Sequence, residues 1–323
     1  MPGYGEARPR RARRHERLQG KLVKRCLILQ GGGLRGAFAA GACFALGDLG
    51  ISQFDLAFAV SASVPTLAYF LAGQCREGRE VWENYLSTTR LIRYSNLFLG
   101  WTDDYRHRPL IDLHYLVYQV FRDRFPLGID RLLASKTEAY FVATDAETYL
   151  PHYFQPDPAR MYHIMRACMA LPGAVPEKPL VNGRAYIDGG VVDPLPIEKA
   201  LQLGADRFLV ILTIPPGAVS KKPTLLERMF ARQYFRDSPG LLDTCDKRND
   251  RLYEALDLLE KLERKNPESS VILRPKNKLP AGRVTRSRSR IAKTLKIGYD
   301  EVLGNQGRIR KLLDLPRLSM QGP

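Results

Sequence analysis

The sequence predicts an α/β protein in which a mainly parallel central sheet lies between two layers of helices, a three-layer α/β/α fold. Residues 22–73 carry the order strand, glycine loop, helix, strand, helix, and such a βαβ pattern favours parallel strands. Short apolar strand segments continue to alternate with helical segments as far as residue 273. The chain has 323 residues, of which 45% are hydrophobic, so it can bury a large core.

The first βαβ unit is clearly marked in the sequence. An apolar run at residues 26–29 predicts a short buried strand, and the apolar helix after the glycine loop ends at Gly50. Gly73 closes the second helix. The predicted elements are a strand at 22–29, a helix at 37–49, a strand at 54–60 and a helix at 62–72.

A helical insertion is predicted over about residues 80–137, and we expect it to cover the functional site. Within it, helices at 81–91 and 111–125 flank a loop at 100–109 with aromatic and charged residues. Beyond the insertion, strands and helices alternate again up to one long amphipathic helix and a final strand. The predicted elements there are strands at 139–143, 184–187, 207–214 and 270–273, and helices at 159–170, 196–203 and 241–265.

The net charge of +16 is concentrated in two basic segments. Residues 1–25 carry nine Lys and Arg against two Glu, and residues 274–296 carry nine Lys and Arg with no acid. Such segments favour an anionic membrane surface or a nucleic acid. No aromatic residue is interleaved with the second segment, which disfavours a nucleic acid because bases are bound by stacking as well as by charge. A solvated basic surface is the alternative for both segments.

We therefore divide the chain into a disordered basic tail at 1–24 and one α/β domain at 25–323, which includes the insertion and the basic segment. The N-terminal segment has no apolar run, so we expect no secretory signal, and no apolar stretch is long enough to cross a bilayer. Five widely spaced cysteines without a CxxC pattern predict neither a disulfide framework nor a zinc site. These features predict a cytoplasmic protein that can lie peripherally at the inner face of the membrane.

A glycine loop, Gly31-Gly32-Gly33 followed by Arg35 and Gly36, is the first candidate site feature. Such a loop between a strand and a helix exposes backbone N–H groups at the positive helix end, where they bind an anion. The anion is either a nucleotide phosphate or the oxyanion of an ester's tetrahedral intermediate. The phosphate-binding P-loop pattern is incomplete, because no Gly-Lys-Ser/Thr follows the loop. The dinucleotide-binding pattern is incomplete too, because no acidic residue ends the second strand.

Ser61 follows the second predicted strand and precedes a predicted helix. A turn from strand to helix projects its side chain from the carboxyl edge of the sheet and places the hydroxyl at a helix N-terminus, the geometry of a nucleophile elbow. The neighbours two positions away, Ala59 and Ser63, are small, as a crowded turn requires. The alternative is that Ser61 only caps the following helix.

Asp188 follows a predicted strand and precedes Gly189 and Gly190. At a sheet edge beside an uncrowded glycine turn, its carboxylate can act as a general base toward Ser61 if the two lie within hydrogen-bonding reach. An ordinary Asp-Gly turn is the alternative. Asp193 is either a second carboxylate near the site or the cap of the helix that follows it.

The order of these segments resembles the patatin-like phospholipase family, and within it the bacterial subgroup. The resemblance rests on G-G-G-L-R-G at 31–36, A-V-S-A-S at 59–63, A-C-M-A-L-P at 167–172 and D-G-G at 188–190. It implies a patatin-like three-layer fold, a lipid acyl-ester substrate and no metal or organic cofactor. It further implies that Ser61 is the nucleophile and Asp188 its base. Gly189 and Gly190 form the turn that positions the base. The implied oxyanion hole consists of Gly31, Gly32, Gly33, Arg35 and Gly36.

The elbow departs from the family's G-x-S-x-G pattern, since Ala59 and Ser63 replace both glycines. The expected reaction is hydrolysis of a fatty acyl ester of a phospholipid or lysophospholipid through an acyl-Ser61 intermediate. The departure leaves open a catalytically impaired member that binds lipid without turnover. The glycine loop also leaves open a nucleotide-binding protein, and the arginines leave open a nucleic-acid binder.

Overall fold

The computed structural model describes residues 23–99, 108–218 and 239–316. Eight strands in this part of the chain form one sheet: β1 (Lys24–Leu29), β2 (Leu56–Val60), β3 (Glu138–Asp145), β4 (Pro151–Phe154), β5 (Leu180–Val181), β6 (Arg184–Asp188), β7 (Ala205–Ile211) and β8 (Ser270–Leu273). Their order is β5-β6-β3-β2-β1-β7-β8, and β4 pairs with β3 outside this path. Strands β3, β2, β1, β7 and β8 run parallel, whereas the pairs β3–β4, β3–β6 and β5–β6 are antiparallel. The mainly parallel sheet is confirmed, and β4 and β5 are strands that the sequence did not predict.

Helices connect the strands and surround the sheet. The α-helices of the described residues are α1 (Ala37–Asp48), α2 (Ser63–Leu71), α3 (Cys75–Asn84), α4 (Ile129–Leu133), α5 (Met161–Met169), α6 (Ile197–Gln202), α7 (Pro239–Asp246), α8 (Arg248–Lys265), α9 (Arg288–Gly304) and α10 (Gln306–Leu312). A π-helix spans Tyr115–Arg124, and short 3₁₀ helices span Gly33–Gly36, Tyr94–Leu99 and Gly189–Val191.

Helices cover both faces of the sheet. Successive side chains of a strand point to opposite faces, and β1 shows this with four fully buried residues. Leu27 and Leu29 belong to the larger core, which they share with α1, α2, α5 and α9. Cys26 and Ile28 belong to a second core, which they share with α6 and α8. The predicted three-layer α/β/α fold is therefore confirmed.

Helix α1 is buried along most of its length, and α9 lies directly against it. A Cβ atom at Gly41 of α1 would overlap the carbonyl oxygen of Leu295, and one at Gly298 of α9 would overlap that of Phe38. Because glycine has no Cβ, the two backbones can approach this closely. The pair of glycines thus fixes the crossing of α1 and α9.

Part of the basic segment at 274–296 is helical, because α9 begins inside it. The Ser287 hydroxyl accepts a 3.4 Å hydrogen bond from the N–H of Arg290 and caps this helix. Leu295 is buried against α1, while the arginines that precede it are exposed. Residues 288–296 are therefore helical, and their basic side chains lie on the exposed side of this helix.

Other predicted bounds also change. The helix predicted at 241–265 is two helices, α7 and α8, which meet at Lys247. The helix predicted at 81–91 is α3, which begins and ends about six residues earlier. The tail predicted at 1–24, apart from its last two positions, and most of the loop predicted at 100–109 lie outside the described residues. Among the helices that are described, none has both the length and the apolar composition needed to span a bilayer.

Candidate active site

Ser61 occupies the turn between β2 and α2 with a φ of 56°. This left-handed backbone conformation is uncommon for a residue other than glycine, and it costs roughly 1–3 kcal/mol where the surroundings hold it in place. The carbonyl of Ser61 accepts a 2.9 Å hydrogen bond from the N–H of Val64 in the first turn of α2. The strand-to-helix turn predicted from the sequence is present, and it carries the strain typical of a functional side chain.

The two residues that replace the elbow glycines both fit their surroundings. Ser63 is fully buried, and its hydroxyl donates a 2.9 Å hydrogen bond to the carbonyl of Gln30, which directly precedes the glycine loop. The side-chain oxygen of Gln30 in turn accepts a 2.8 Å hydrogen bond from the N–H of Thr213. Ala59 is fully buried within β2. Ser63 therefore joins the elbow helix to the glycine loop.

Asp188 lies at the end of β6, directly opposite Ser61. The Ser61 hydroxyl donates a hydrogen bond to Asp188, with 2.5 Å between Oγ and Oδ2. The other carboxylate oxygen, Oδ1, accepts a 2.8 Å hydrogen bond from the N–H of Gly190. The Thr144 hydroxyl donates to the Asp188 carbonyl over 3.0 Å. Both carboxylate oxygens and the backbone are thus held in place.

The Asp188 carboxylate is only 2% exposed. Burial raises its pKa above the ordinary value, because a charged carboxylate is poorly solvated there. The hydrogen bonds from Ser61 and Gly190 oppose this rise, as do the charges of Arg248 and Arg283. The net effect is a carboxylate that accepts a proton more readily than an exposed aspartate.

The turn after Asp188 needs glycine for a geometric reason. A Cβ atom at Gly189 would overlap the carbonyl oxygen of Val142 in β3. At Gly190 a Cβ atom would lie 3.1 Å from Asp188 Oδ1, which is tighter than ordinary van der Waals contact. The two glycines therefore let the turn pack onto β3 with its N–H aimed at the carboxylate.

The glycine loop packs directly against the elbow. A Cβ atom at Gly31 would lie 2.6 Å from Ser61 Cβ, so only glycine fits between them. Gly33 has a φ of 58°, and a Cβ atom there would overlap the carbonyl oxygen of Arg283. Gly36 ends the short 3₁₀ helix beside Trp82, whose ring would lie 3.3 Å from an added Cβ.

The backbone N–H groups of this loop differ in whether they already have an acceptor. The N–H of Leu34 donates to the Arg283 carbonyl over 3.0 Å, and that of Arg35 donates to the Gly32 carbonyl over 3.3 Å. The N–H groups of Gly32 and Gly33 donate no hydrogen bond to any residue that the structure describes. The loop therefore offers donors at these two positions, while the Arg35 N–H is already used.

Three guanidinium groups surround the dyad. The half-buried Arg35 donates from Nε to the Gly32 carbonyl over 3.4 Å. Burial, followed by the charges of Arg283 and Arg248, lowers the pKa of Arg35 to about 10. Arg248 donates from Nε to the Gly190 carbonyl over 2.5 Å. The charges of Arg248 and Arg283 thus act on the buried Asp188 carboxylate, and Arg35 lies close enough to both arginines for its charge to interact with theirs.

Sequence reasoning did not identify Arg248 as a site residue, and it placed Arg283 only in a basic surface run. Arg248 is the first residue of α8, and Lys247 precedes it. Positive charge at a helix start is disfavoured by the helix dipole, so this pair does not mark a helix start in the sequence. The sequence instead predicts one continuous helix at 241–265, which runs across Lys247 and Arg248.

A cavity of about 640 Å³ opens beside the dyad, and Ser61, Asp188 and the three glycines Gly31–Gly33 line it. The rest of the wall is largely apolar. Part of that wall comes from the predicted insertion, through Leu86, Leu91, Leu113, Leu116 and Phe121. The arrangement can hold an apolar chain with an ester carbonyl at Ser61.

The other candidate residues, Asp193 and the histidines, make no hydrogen bond to Ser61 or Asp188 in the described part of the chain. Asp193 is buried and accepts a 2.7 Å hydrogen bond from the Tyr153 hydroxyl, and burial raises its pKa to about 6. In the part of the chain that the structure describes, no histidine bonds to Ser61 or Asp188. The same residues contain no group of three or more His, Cys, Asp or Glu side chains placed to hold a metal ion.

Comparison with known proteins gives several similarities, of which three are described. A family model described as "Patatin-like phospholipase" matches residues 27–201. The "Uncharacterized protein YjjU" of Escherichia coli K12 is 32% identical over 192 residues, which is 58% of this chain and 52% of that protein. The chain thus spans about half the length of this curated relative. The crystal structure of VipD from Legionella pneumophila aligns with a TM-score of 0.48 and 15% identity, over 91% of this chain and 67% of that chain.

Proposed function

The chain belongs to the patatin-like phospholipase family, and we propose that it hydrolyses fatty acyl esters of phospholipids or lysophospholipids through a Ser61–Asp188 dyad. Family membership supports lipolytic acyl hydrolysis in general. One observation carries the finer proposal. It is the 2.5 Å hydrogen bond from Ser61 Oγ to Asp188 Oδ2 at a strained turn beside the glycine loop.

In the first half of the reaction, Asp188 takes the hydroxyl proton as Ser61 Oγ bonds to the ester carbonyl carbon. The carbonyl electron pair moves onto oxygen, and the N–H groups of Gly32 and Gly33 donate hydrogen bonds to that oxyanion. The ester C–O bond then breaks, and the leaving alcohol takes the proton from Asp188. An acyl-Ser61 ester remains.

In the second half, Asp188 takes a proton from a water molecule that attacks the acyl carbon. A second tetrahedral oxyanion forms on the same donors. Its collapse breaks the bond to Ser61 Oγ, releases the fatty acid and returns the proton to Ser61. A buried aspartate suits both halves, because burial raises its pKa toward the pH at which a base must exchange protons.

The cavity supports a long-chain acyl group as the substrate. Its volume of about 640 Å³ lies within the range of sites that bind small organic molecules. Apolar side chains line most of its wall, and their burial against an acyl chain is favourable in proportion to the apolar area covered.

An anionic membrane surface is the proposed partner, at the inner face of the membrane. Five exposed basic side chains follow soon after Arg283 and Val284, which line the cavity. They are Arg286, Arg288, Arg290, Lys293 and Lys296. Each basic residue near such a surface contributes about 1 kcal/mol. Sedimentation with phosphatidylglycerol vesicles tests this, since binding that equals binding to phosphatidylcholine vesicles contradicts it.

Fatty acid release from lysophospholipid tests the hydrolytic proposal. We expect Ser61→Ala and Asp188→Asn to lower the rate by about 10³-fold or more, as dyad or triad removal does in other serine hydrolases. Ser289→Ala and Asp243→Asn change an exposed serine and an exposed aspartate and serve as matched controls. Wild-type rates in both dyad variants contradict the proposal. A folded wild-type protein that binds lipid without releasing fatty acid favours a catalytically impaired family member.

A further inference from the structure

Arg283 is anchored on the glycine loop. Its carbonyl accepts the N–H of Leu34 over 3.0 Å, and its Cα lies 3.2 Å from where a Cβ of Gly33 would be. The backbone on either side is fixed too, since Ala281 donates to the Thr294 hydroxyl and Val284 accepts from the Tyr94 hydroxyl. The backbone of Arg283 is therefore held in place on both sides, and Arg283 lines the cavity.

Arg248 is anchored on the turn that follows Asp188. Its Nε donates to the Gly190 carbonyl over 2.5 Å, and its Nη2 lies 3.7 Å from where a Cβ of Gly190 would be. The guanidinium group thus lies over the turn that holds Asp188, and it lines the same cavity. Ser61 contacts both Gly31 and Asp188, so each arginine is anchored on a segment that touches the nucleophile.

Neither guanidinium group has a carboxylate partner within ion-pair distance among the residues that the structure describes. Asp246 lies in the same cavity wall but is exposed and pairs with neither. The pKa of Arg283 is lowered, first by the protein atoms that partly desolvate it and then by the charge of Arg248. In the described part of the chain, the Asp188 carboxylate is the one nearby negative charge that acts on both arginines, so it offsets their repulsion only in part, and a bound anion would relieve the rest.

We propose that Arg248 and Arg283 form a phosphate-binding subsite beside Ser61 that selects acyl esters carrying a phosphate on the same glycerol. The inference rests on the proposed hydrolysis at Ser61. Guanidinium groups match phosphate oxygens in charge and in hydrogen-bond geometry. The subsite therefore favours glycerophospholipids and lysophospholipids over neutral acylglycerols. Both arginines lie outside residues 27–201, the part of the chain that the family model matches.

The direct test is binding to the full chain carrying Ser61→Ala, which removes the attacking oxygen and leaves the arginines in place. The probes are oleoyl lysophosphatidic acid, monooleoylglycerol with the same acyl chain, and inorganic phosphate alone, all below the concentration at which micelles form. We expect the phosphate lipid to bind at least about tenfold more tightly than the neutral lipid, since a charge-assisted hydrogen bond contributes that much or more. Addition of Arg283→Gln should abolish most of this preference.

Lys276→Gln is the matched control, because it removes one exposed charge from the same segment. The preference should survive in this variant. Equal affinity for the two lipids, or a preference that persists in Arg283→Gln, overturns the proposal. Inorganic phosphate that binds as tightly as the phosphate lipid also overturns it, since the subsite then serves free phosphate.

Kinetics separate this inference from the hydrolytic proposal. With Ser61 intact, Arg283→Gln should lower the ratio of kcat/KM for the phosphate lipid to that for the neutral lipid, mainly through KM. An unchanged ratio counts against the subsite while hydrolysis stands. A protein that hydrolyses neither lipid but keeps the Arg283-dependent binding preference supports the subsite and rejects the hydrolytic function.

Discussion

Ser63 donates a hydrogen bond from its hydroxyl to the Gln30 carbonyl over 2.9 Å, and this bond links the elbow helix to the start of the glycine loop. A glycine at this position could not make the bond. Ser63 therefore connects the segment that carries Ser61 to the glycine loop.

Ser63→Ala should destabilise the protein by about 1–3 kcal/mol, because the buried Gln30 carbonyl loses this donor. Urea denaturation followed by circular dichroism measures the difference in free energy of unfolding. Ser289→Ala is the matched exposed control and should stay within about 0.5 kcal/mol of wild type. Equal stability of the two variants would show that the hydrogen bond contributes nothing.

The rate of hydrolysis should fall toward acid pH, and the midpoint of this acid limb should lie above the usual pKa of an aspartate. Asp188 acts as a base only when ionised, and burial raises its pKa. Asp193, whose pKa burial raises to about 6, could be mistaken for the source of this limb. Because Asp193 bonds to Tyr153 and not to Ser61, Asp193→Asn should keep the limb where it is. A limb that moves in this variant contradicts the assignment to Asp188.

Asp188→Asn should raise the melting temperature at about pH 8 while it abolishes hydrolysis. The folded state holds the Asp188 proton more tightly than the unfolded state, since burial raises the pKa. The stability from this group is present below the usual aspartate pKa and is lost as the pH rises through the folded value. Asparagine carries no charge, so its advantage should grow as the pH rises from the usual aspartate pKa through the raised value of the folded state. Thermal denaturation across this range measures it, and a constant or negative difference contradicts the argument.

Gly41→Ala should destabilise the protein by about 2 kcal/mol or more, because the added methyl overlaps the carbonyl oxygen of Leu295 and forces α1 and α9 apart. Gly304→Ala, at the end of α9, meets no atom within 4 Å and should be neutral or slightly stabilising. Chemical denaturation of both variants makes the comparison. A tolerated Gly41→Ala would show that the two helices are not fixed by this approach.

The sequence located Ser61 and Asp188 because each follows an apolar strand and lies beside small residues, a local pattern that a single chain reveals. It could not establish their contact. The 2.5 Å hydrogen bond depends on β6 pairing antiparallel with β3 while β2 pairs parallel with the same strand. These pairings join segments far apart in the chain, and no local pattern specifies them.

Arg248, Arg283 and helix α9 show what local patterns miss. Alternating arginine and serine concealed the start of α9, whose buried positions become visible only against α1. The break at Lys247 turns Arg248 toward the Asp188 turn, and a continuous helical periodicity gave no sign of it. The positions of Arg248, Arg283 and helix α9 thus depend on contacts with segments that are distant in the sequence.

Covalent labelling with a fluorophosphonate probe, mapped by mass spectrometry, tests the Ser61–Asp188 dyad, because the probe reacts with an activated serine. We expect an adduct on Ser61 that is absent in Ser61→Ala and strongly reduced in Asp188→Asn, with Ser289→Ala labelled like wild type. A folded wild-type protein without an adduct on Ser61, or equal labelling in Asp188→Asn, would contradict the Ser61–Asp188 dyad.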